Sequence, residues 1–315
     1  MVLEGGAGPV WAVTFHPDGK YFFDATNDKI RRWRVADGQE LRKQTDSETT
    51  FYAISVSKDE KWLVCGATSG ASVWDAELRE KVVTVESGPG EHVFSVDVAP
   101  DCTKFATGTT GHKATIWSIT TGQKLIGPFE HGGDVNGVKF SPDGGRLATA
   151  CYGDPTIRIF DAQNGDQLIT IENPIPTFSF LPIVWSTHGR RLFAVSKDYK
   201  IKSFDSSTGS SLAEWQIHES SYGPMSIALS ANGRFIASSA GPVVSLWDTS
   251  THTQLGIVEQ THDIQSIALS LDECRLATGS RVVGTSVIWN LGGILPDSYL
   301  PGNVSTPKVD DDIHS

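Results

Sequence analysis

Apolar residues recur along this chain in short alternating runs, each broken by turn-forming residues. Residues 135–140 and 146–150 are two such runs, with Ser141-Pro142-Asp143-Gly144 between them. Alternation with a period of two marks strands on a half-buried surface, and Pro, Asp and Gly at the break suit a tight β-turn. The segment predicts a β-hairpin. The signature returns at His16-Pro17-Asp18-Gly19, Ser57-Lys58-Asp59-Glu60, Ala99-Pro100-Asp101-Cys102, Ser186-Thr187-His188-Gly189, Ser230-Ala231-Asn232-Gly233 and Ser270-Leu271-Asp272-Glu273, at intervals of 40 to 45 residues.

A second series keeps the same register. Trp33-Arg34, Trp74-Asp75, Trp117-Ser118, Phe160-Asp161, Phe204-Asp205, Trp247-Asp248 and Trp289-Asn290 close later β runs at intervals of 41 to 44 residues. A turn such as Ala36-Asp37-Gly38 or Gln163-Asn164-Gly165 then leads to a further run, such as residues 82–85 or 168–171. Each unit therefore predicts four short strands, and a period near 40 residues is that of a repeat architecture. Seven units are present.

These residues resemble the Trp-Asp (WD) repeat family over residues 1 to about 295, most specifically in Gly8-Pro9-Val10-Trp11-Ala12-Val13-Thr14-Phe15-His16-Pro17-Asp18-Gly19 and in Thr156-Ile157-Arg158-Ile159-Phe160-Asp161. The resemblance implies an all-β fold, a seven-bladed β-propeller of four-stranded antiparallel blades around a central channel. Open strand edges have to be joined for such a ring to close. Val2-Leu3-Glu4 reads as the missing fourth strand of blade seven, so the ring is expected to be closed by the N-terminal strand. The propeller is then expected over 1–295, and 296–315, with Asp310-Asp311-Asp312, as a flexible acidic tail.

The family's blades often carry a hydrogen-bonded set of His, Ser or Thr, Asp and the Trp indole. Only blade four keeps His131, Thr149 and Asp154, with Phe160 in place of Trp; blade five keeps Asp198 beside Phe204. Gly6, Ser47, Pro89, Pro176, Ser220 and Gln260 stand where the other histidines would be. His131, Thr149, Asp154 and Asp198 are accordingly expected to be structural, and apolar packing between blades is expected to carry the fold.

Composition narrows the function. Of 315 residues, 39% are apolar, enough for a large core, and the formal net charge is −11. Such a surface repels phosphate backbones and anionic headgroups, so neither nucleic acid nor membrane is an expected partner. The first 15 residues hold Glu4 and no basic side chain, and no apolar run reaches the length of a bilayer span. A cytoplasmic protein is expected, without excluding the nucleus. The four cysteines (Cys65, Cys102, Cys151, Cys274) are widely spaced and expected to be free thiols.

No serine-nucleophile elbow, His-Glu-x-x-His, phosphate loop or calcium loop occurs, so no enzyme activity, cofactor or metal is expected. One charge cluster stands out. Lys29, Arg31, Arg32 and Arg34 crowd one strand, and Arg32 occupies the place of Val73, Ile116, Ile159, Leu246 and Ile288. Either its stem reaches along the blade to the edge, or it pairs with a buried acid or an external anion.

The resemblance further implies a ligand face at the channel mouth, around the first apolar position of each blade. The residues just after it are Trp11, Tyr52, Phe94, Asn136, Leu181, Met225 and Gln265; those just before it include His92, Asp134 and Asp263. Exposed aromatics are the usual anchors of protein interfaces. The expectation is a non-catalytic interaction scaffold, monomeric by itself, holding a protein or peptide segment at this mouth. A ligand-sensing domain of a larger nucleotide-binding oligomerising system is the alternative, and a propeller enzyme the third.

Overall fold

The computed structural model describes residues 1–45, 49–173, 182–217 and 225–301. The chain starts with β1 (Val2–Ala7). Blade one follows as β2 (Val10–Phe15), β3 (Tyr21–Thr26), β4 (Lys29–Arg34) and β5 (Glu40–Thr45). Blade two is β6 (Phe51–Val56), β7 (Trp62–Ala67), β8 (Gly70–Asp75) and β9 (Lys81–Glu86); blade three is β10 (Val93–Val98), β11 (Lys104–Thr109), β12 (Lys113–Ser118) and β13 (Lys124–Glu130). Blade four is β14 (Asp134–Phe140), β15 (Arg146–Tyr152), β16 (Thr156–Asp161) and β17 (Gln167–Glu172); blade five is β18 (Ile183–Trp185), β19 (Arg191–Val195), β20 (Lys200–Asp205) and β21 (Ser211–Gln216). Blade six is β22 (Ile227–Leu229), β23 (Phe235–Ala240), β24 (Val243–Asp248) and β25 (Gln254–Glu259). Blade seven holds β26 (Ile264–Leu269), β27 (Arg275–Ser280) and β28 (Val283–Asn290), and takes β1 as its fourth strand.

Burial along each strand explains the sequence pattern. The second strand of a blade is covered on both faces, so β7 is buried at every position after Trp62. Outer strands alternate, as in β9 and β17, because only one face meets a neighbour. Seven apolar clusters lie one at each contact between consecutive blades. Phe105, for example, joins Val64 and Val73 of blade two, and Leu3, Phe22, Trp33 and Ile288 join blade one to blade seven.

Around the channel the innermost strands have an unpaired edge, and neighbouring blades supply side chains to it. Ser266 Oγ accepts from Val13 N at 3.2 Å, Ser55 Oγ from Val98 N at 3.3 Å and Ser95 Oγ from Val138 N at 3.0 Å. Asp97 accepts from Phe140 N at 2.9 Å and also holds Lys139 Nζ at 2.7 Å. Buried backbone donors are thereby satisfied without a continuous ladder.

The ring closes as the sequence predicts. β1 runs antiparallel to β28, pairing Val2 with Val287, Leu3 with Ser286 and Glu4 with Thr285, and the Met1 amine donates to Ile288 O at 2.7 Å. Beside this seam lies an ion pair. Arg31 Nε and Nη2 reach the two oxygens of Asp24, each at 2.7 Å, with both side chains fully buried. Blade seven completes it: Ser286 Oγ donates to Asp24 at 2.7 Å and Gly284 O accepts from Arg31 Nη2 at 3.3 Å. Only a glycine fits above it, since a Cβ on Gly5 would sit 1.1 Å from Arg31 Nη1.

Arg31 is therefore the cation with the buried acid, and Arg32 is not. Arg32 is half-buried, with its guanidinium 3.9 Å from the centre of the Tyr21 ring. The four cysteines are free, and burial pushes the Cys65 thiol up and that of Cys151 up to about 12. After β28 the chain does not leave the fold at once. Leu291 and Leu295 are buried, and a 3-10 turn over Asp297–Tyr299 docks on blade six, where Tyr299 donates to Asp248 and Arg234 Nη1 donates to Ser298 O at 2.6 Å. The expectation of a tail from residue 296 thus meets a docked turn first, because Tyr299 finds a carboxylate there. Residues 302–315, with Asp310, Asp311 and Asp312, lie outside the described residues. No helix among the described residues is long and apolar enough to cross a membrane.

Removing one partner of a buried ion pair leaves the other unpaired, which costs roughly 3 to 5 kcal/mol, whereas replacing both by apolar side chains is often neutral. Arg31→Met alone should lower stability in urea unfolding by about that amount. The double variant Asp24→Leu/Arg31→Met should recover most of the loss, and a double variant as unstable as the single would show that the pair is needed for more than charge balance.

Candidate functional site

Among the described residues, five of the inner strands carry a one-residue bulge at the same place. The pairing register shifts between Val10 and Ala12, Phe51 and Ala53, Val93 and Ser95, Val135 and Gly137, and Ile264 and Ser266. Trp11, Tyr52, Phe94, Asn136 and Gln265 are the residues left over. The cause is written beside them. The next residue is small (Ala12, Ala53, Ser95, Gly137, Ser266) and pairs with another small one (Ala25, Gly66, Gly108, Ala150, Gly279). That narrow rung lets the following blade approach: a Cβ on Gly108 would lie 2.6 Å from Val135 O. A bulged residue stands outside the ladder, and the bend re-aims its side chain.

On three consecutive blades the re-aimed side chains are aromatic and half-buried. Trp11 and Tyr52 meet edge-on with ring centres 5.2 Å apart, and Tyr52 and Phe94 do so at 4.9 Å. Edge-to-face contact is the favoured geometry for such pairs and holds the arc in one conformation. Trp11 Nε1 donates to Asn27 Oδ1 at 2.7 Å. His92 extends the arc, 5.7 Å from Tyr52, and its Nδ1 lies 2.7 Å from Thr68 O, an acceptor only, so Nδ1 carries the proton of that bond.

Outward from His92 runs a cavity of about 530 Å³, lined by Phe51, Thr68, Ser69, Lys81, Thr84 and Glu86 among others. Beyond it Glu91 accepts from Lys113 at 3.0 Å, and that bond holds the Glu91 carboxyl below its usual range. The acids expected at the arc's ends are present and half-buried, Asp134 at 3.4 Å from His112 and Asp263 at 3.9 Å from Arg281.

Other expected mouth residues are placed differently. Met225 is fully buried between blades five and six with Trp215, Ile227 and Trp247, just before β22. Asn136 and Gln265 occupy bulges, but only 4% and 2% of their surface is exposed, because these non-aromatic chains lie within the wall. They are interior residues rather than surface contacts. Leu181 lies outside the described residues. Sequence reasoning missed Asn27 and Thr68, which orient Trp11 and His92; both fall in or beside the turn between second and third strands, which opens on the same face.

The structural set is only partly bonded as expected. Thr149 Oγ1 donates to Arg158 O at 3.4 Å, and neither ring nitrogen of buried His131 has a hydrogen-bond partner. Asp154 instead accepts from Thr156 at 2.6 Å, Arg158 at 2.8 Å and Gly132 N at 3.2 Å. His131, Cys151 and Asp154 bring ligand-type atoms within 4.8 Å of one another, yet Arg158 already holds the carboxylate a cation would need. Asp198 accepts from Ser196 and faces Lys200 and Lys202. In blades three and six the indole keeps its hydroxyl, Trp117 donating to Thr107 at 2.9 Å and Trp247 to Ser238 at 3.1 Å, whereas buried Trp33 Nε1 in blade one has no hydrogen-bond partner. In blade seven Trp289 donates to Thr278, which donates to Gln260 in the place of the missing histidine.

Fold and mouth together define a seven-bladed propeller with an aromatic rim. A family model described as "WD domain, G-beta repeat" matches residues 1–34 and 123–161. The first match covers β1 to β4 and the second β13 to β16, so each repeat in sequence straddles two blades, and the first one carries the closing strand. These matches identify WD repeats in this chain, in keeping with its seven four-stranded blades. It is 26% identical over 320 residues to a guanine nucleotide-binding protein subunit beta of Nicotiana plumbaginifolia, covering 93% of this chain and 83% of that one. It is 27% identical over 237 residues to eukaryotic translation initiation factor 3 subunit I of Scheffersomyces stipitis, covering 69% and 65%. A periodic tryptophan protein 2 homolog of Dictyostelium discoideum is 26% identical over 268 residues, which is 71% of this chain and 29% of that one.

Two measurements check this geometry. Burial, with Arg158 adding to it, pushes the His131 imidazole down to about 4 from 6.5, so the folded state prefers it neutral. Its contribution to stability is complete above about 6.5 and is lost as pH falls through 4. His131→Gln should therefore lose less stability than the wild type across that window in urea titrations, and an identical pH dependence would refute the assignment. Separately, Ala at Trp11, Tyr52 or Phe94 should move the melting temperature by only a few degrees, while Phe105→Ala in the core should cost about 3 to 5 kcal/mol.

Proposed function

We propose that this propeller is a non-catalytic scaffold that holds an extended segment of a partner protein across its channel mouth. The observation that carries the reading is the contiguous arc of Trp11, Tyr52 and Phe94 on bulges of three adjacent blades. Their edge-to-face packing leaves them little freedom to lose on binding, so contact area converts efficiently into affinity. His92 presents its imidazole beside the arc, and the cavity beyond it gives the segment a path outward along blade two. Two relatives, the guanine nucleotide-binding protein subunit beta and the initiation factor subunit I, are named as subunits, which supports a role in assembly. The free thiols fit a reducing compartment, and we place the protein in the cytoplasm.

Affinity purification with the wild type as bait, followed by mass spectrometry, should return a specific partner. Trp11→Ala bait should weaken its capture strongly, since an interface anchor is worth ~2 kcal/mol or more, about thirtyfold in affinity. Capture that is equal with the wild type and with the Trp11, Tyr52 and Phe94 variants would move the binding site away from the mouth.

A further inference from the structure

Blade one departs from the other blades at one rung. Between the third and outer strands the residues paired there are Val73 with Val83, Ile116 with Ile126, Ile159 with Ile169, Ser203 with Ala213 and Leu246 with Gly256. In blade one they are Arg32 and Arg42. Like charges directly opposite on neighbouring strands repel, so this rung costs stability where an apolar pair would add to it. The next rung sets Arg31 against Lys43, and Lys43 is exposed.

Among the described residues nothing neutralises these charges. Arg34 is paired with Asp37 and Lys29 with Asp28, but among the described residues no ion pair includes Arg32, Arg42 or Lys43. Arg32 is stacked on Tyr21, and its buried Nε has no hydrogen-bond partner. Arg42 is exposed on the outer strand, while Gln44 on the same face donates to Leu78 O at 2.6 Å and ties that strand to blade two. Charges on an edge strand also guard against unwanted pairing, yet β9 and β13 each do so with one lysine at the strand start and one glutamate at its end, with no like charge opposed to either lysine. Two opposed arginines exceed that need.

We propose that Arg32 and Arg42 form a docking site for an acidic segment of a partner protein, independent of the mouth. The planar forks of arginine match carboxylates, and one guanidinium is already held in place by Tyr21. A net charge of −11 repels a long phosphate backbone, whereas a short acidic segment feels mainly the local cations.

Fluorescence anisotropy of a labelled oligoglutamate peptide against the full chain tests this. The wild type should bind with an affinity that falls as salt rises, and Arg32→Gln and Arg42→Gln should each weaken binding about tenfold or more. Trp11→Ala should bind like the wild type, which separates this surface from the mouth. Arg42→Gln should unfold in urea at the same midpoint as the wild type or a higher one, since a repulsion is removed. Absence of binding, binding unchanged in both arginine variants, a lowered midpoint for Arg42→Gln, or equally tight binding of labelled oligothymidylate would each overturn the proposal.

Discussion

A four-stranded blade presents two apolar faces and cannot cover either one alone. Every blade of this protein is therefore stable only between two neighbours, and the first and last blades must be neighbours of each other. β1 on β28 meets that requirement by lending blade seven a strand from the far end of the sequence. The same junction holds the fully buried Asp24 and Arg31, bound to Ser286 and Gly284 across the seam. An apolar pair there would cost less desolvation but would make no directional bond across the seam. A bidentate pair that also bonds the neighbouring blade has one alignment, and Gly5 leaves room for that alignment alone.

The candidate site rests on the same demand for close contact between blades. Small residues on the second strand, such as Gly66 and Gly108, bring the next inner strand near, and the bulges on five of the inner strands absorb the mismatch. Binding residues and packing residues are thus consecutive in sequence but separate in task. Trp11 faces the mouth, while Val10 before it is fully buried and Ala12 after it sits in the wall.

Much of this was legible in the sequence because two independent series of turns and aromatics kept one period. The number of units follows from that period, while the ring and its closing strand follow from the resemblance to WD repeats. The buried cation, Arg31, was not singled out, for a physical reason. Both faces of β4 are covered by other blades, so alternation cannot say which of Arg31 and Arg32 lies deeper; the signal was Asp24, an acid inside the apolar run of β3, at the rung opposite Arg31. At the mouth, position in the repeat identified the bulges but not their depth. The rings of Trp11, Tyr52 and Phe94 remain half-exposed at the rim, whereas Asn136 and Gln265 in the same backbone geometry tuck inward. Met225 fell outside the rule because its blade has no described bulge there.

The bulges also separate heredity of shape from heredity of specificity. A residue outside the ladder makes no register choice, so its replacement leaves strand pairing, turn geometry and the apolar clusters untouched. Drift at Trp11, Tyr52 or Phe94 would alter what the rim recognises without threatening the ring that carries it, and a change at the small residue that follows would do the reverse. Neighbouring positions in this repeat can therefore evolve at different rates, and the rim is a place where one propeller can be turned to a new partner by a few substitutions.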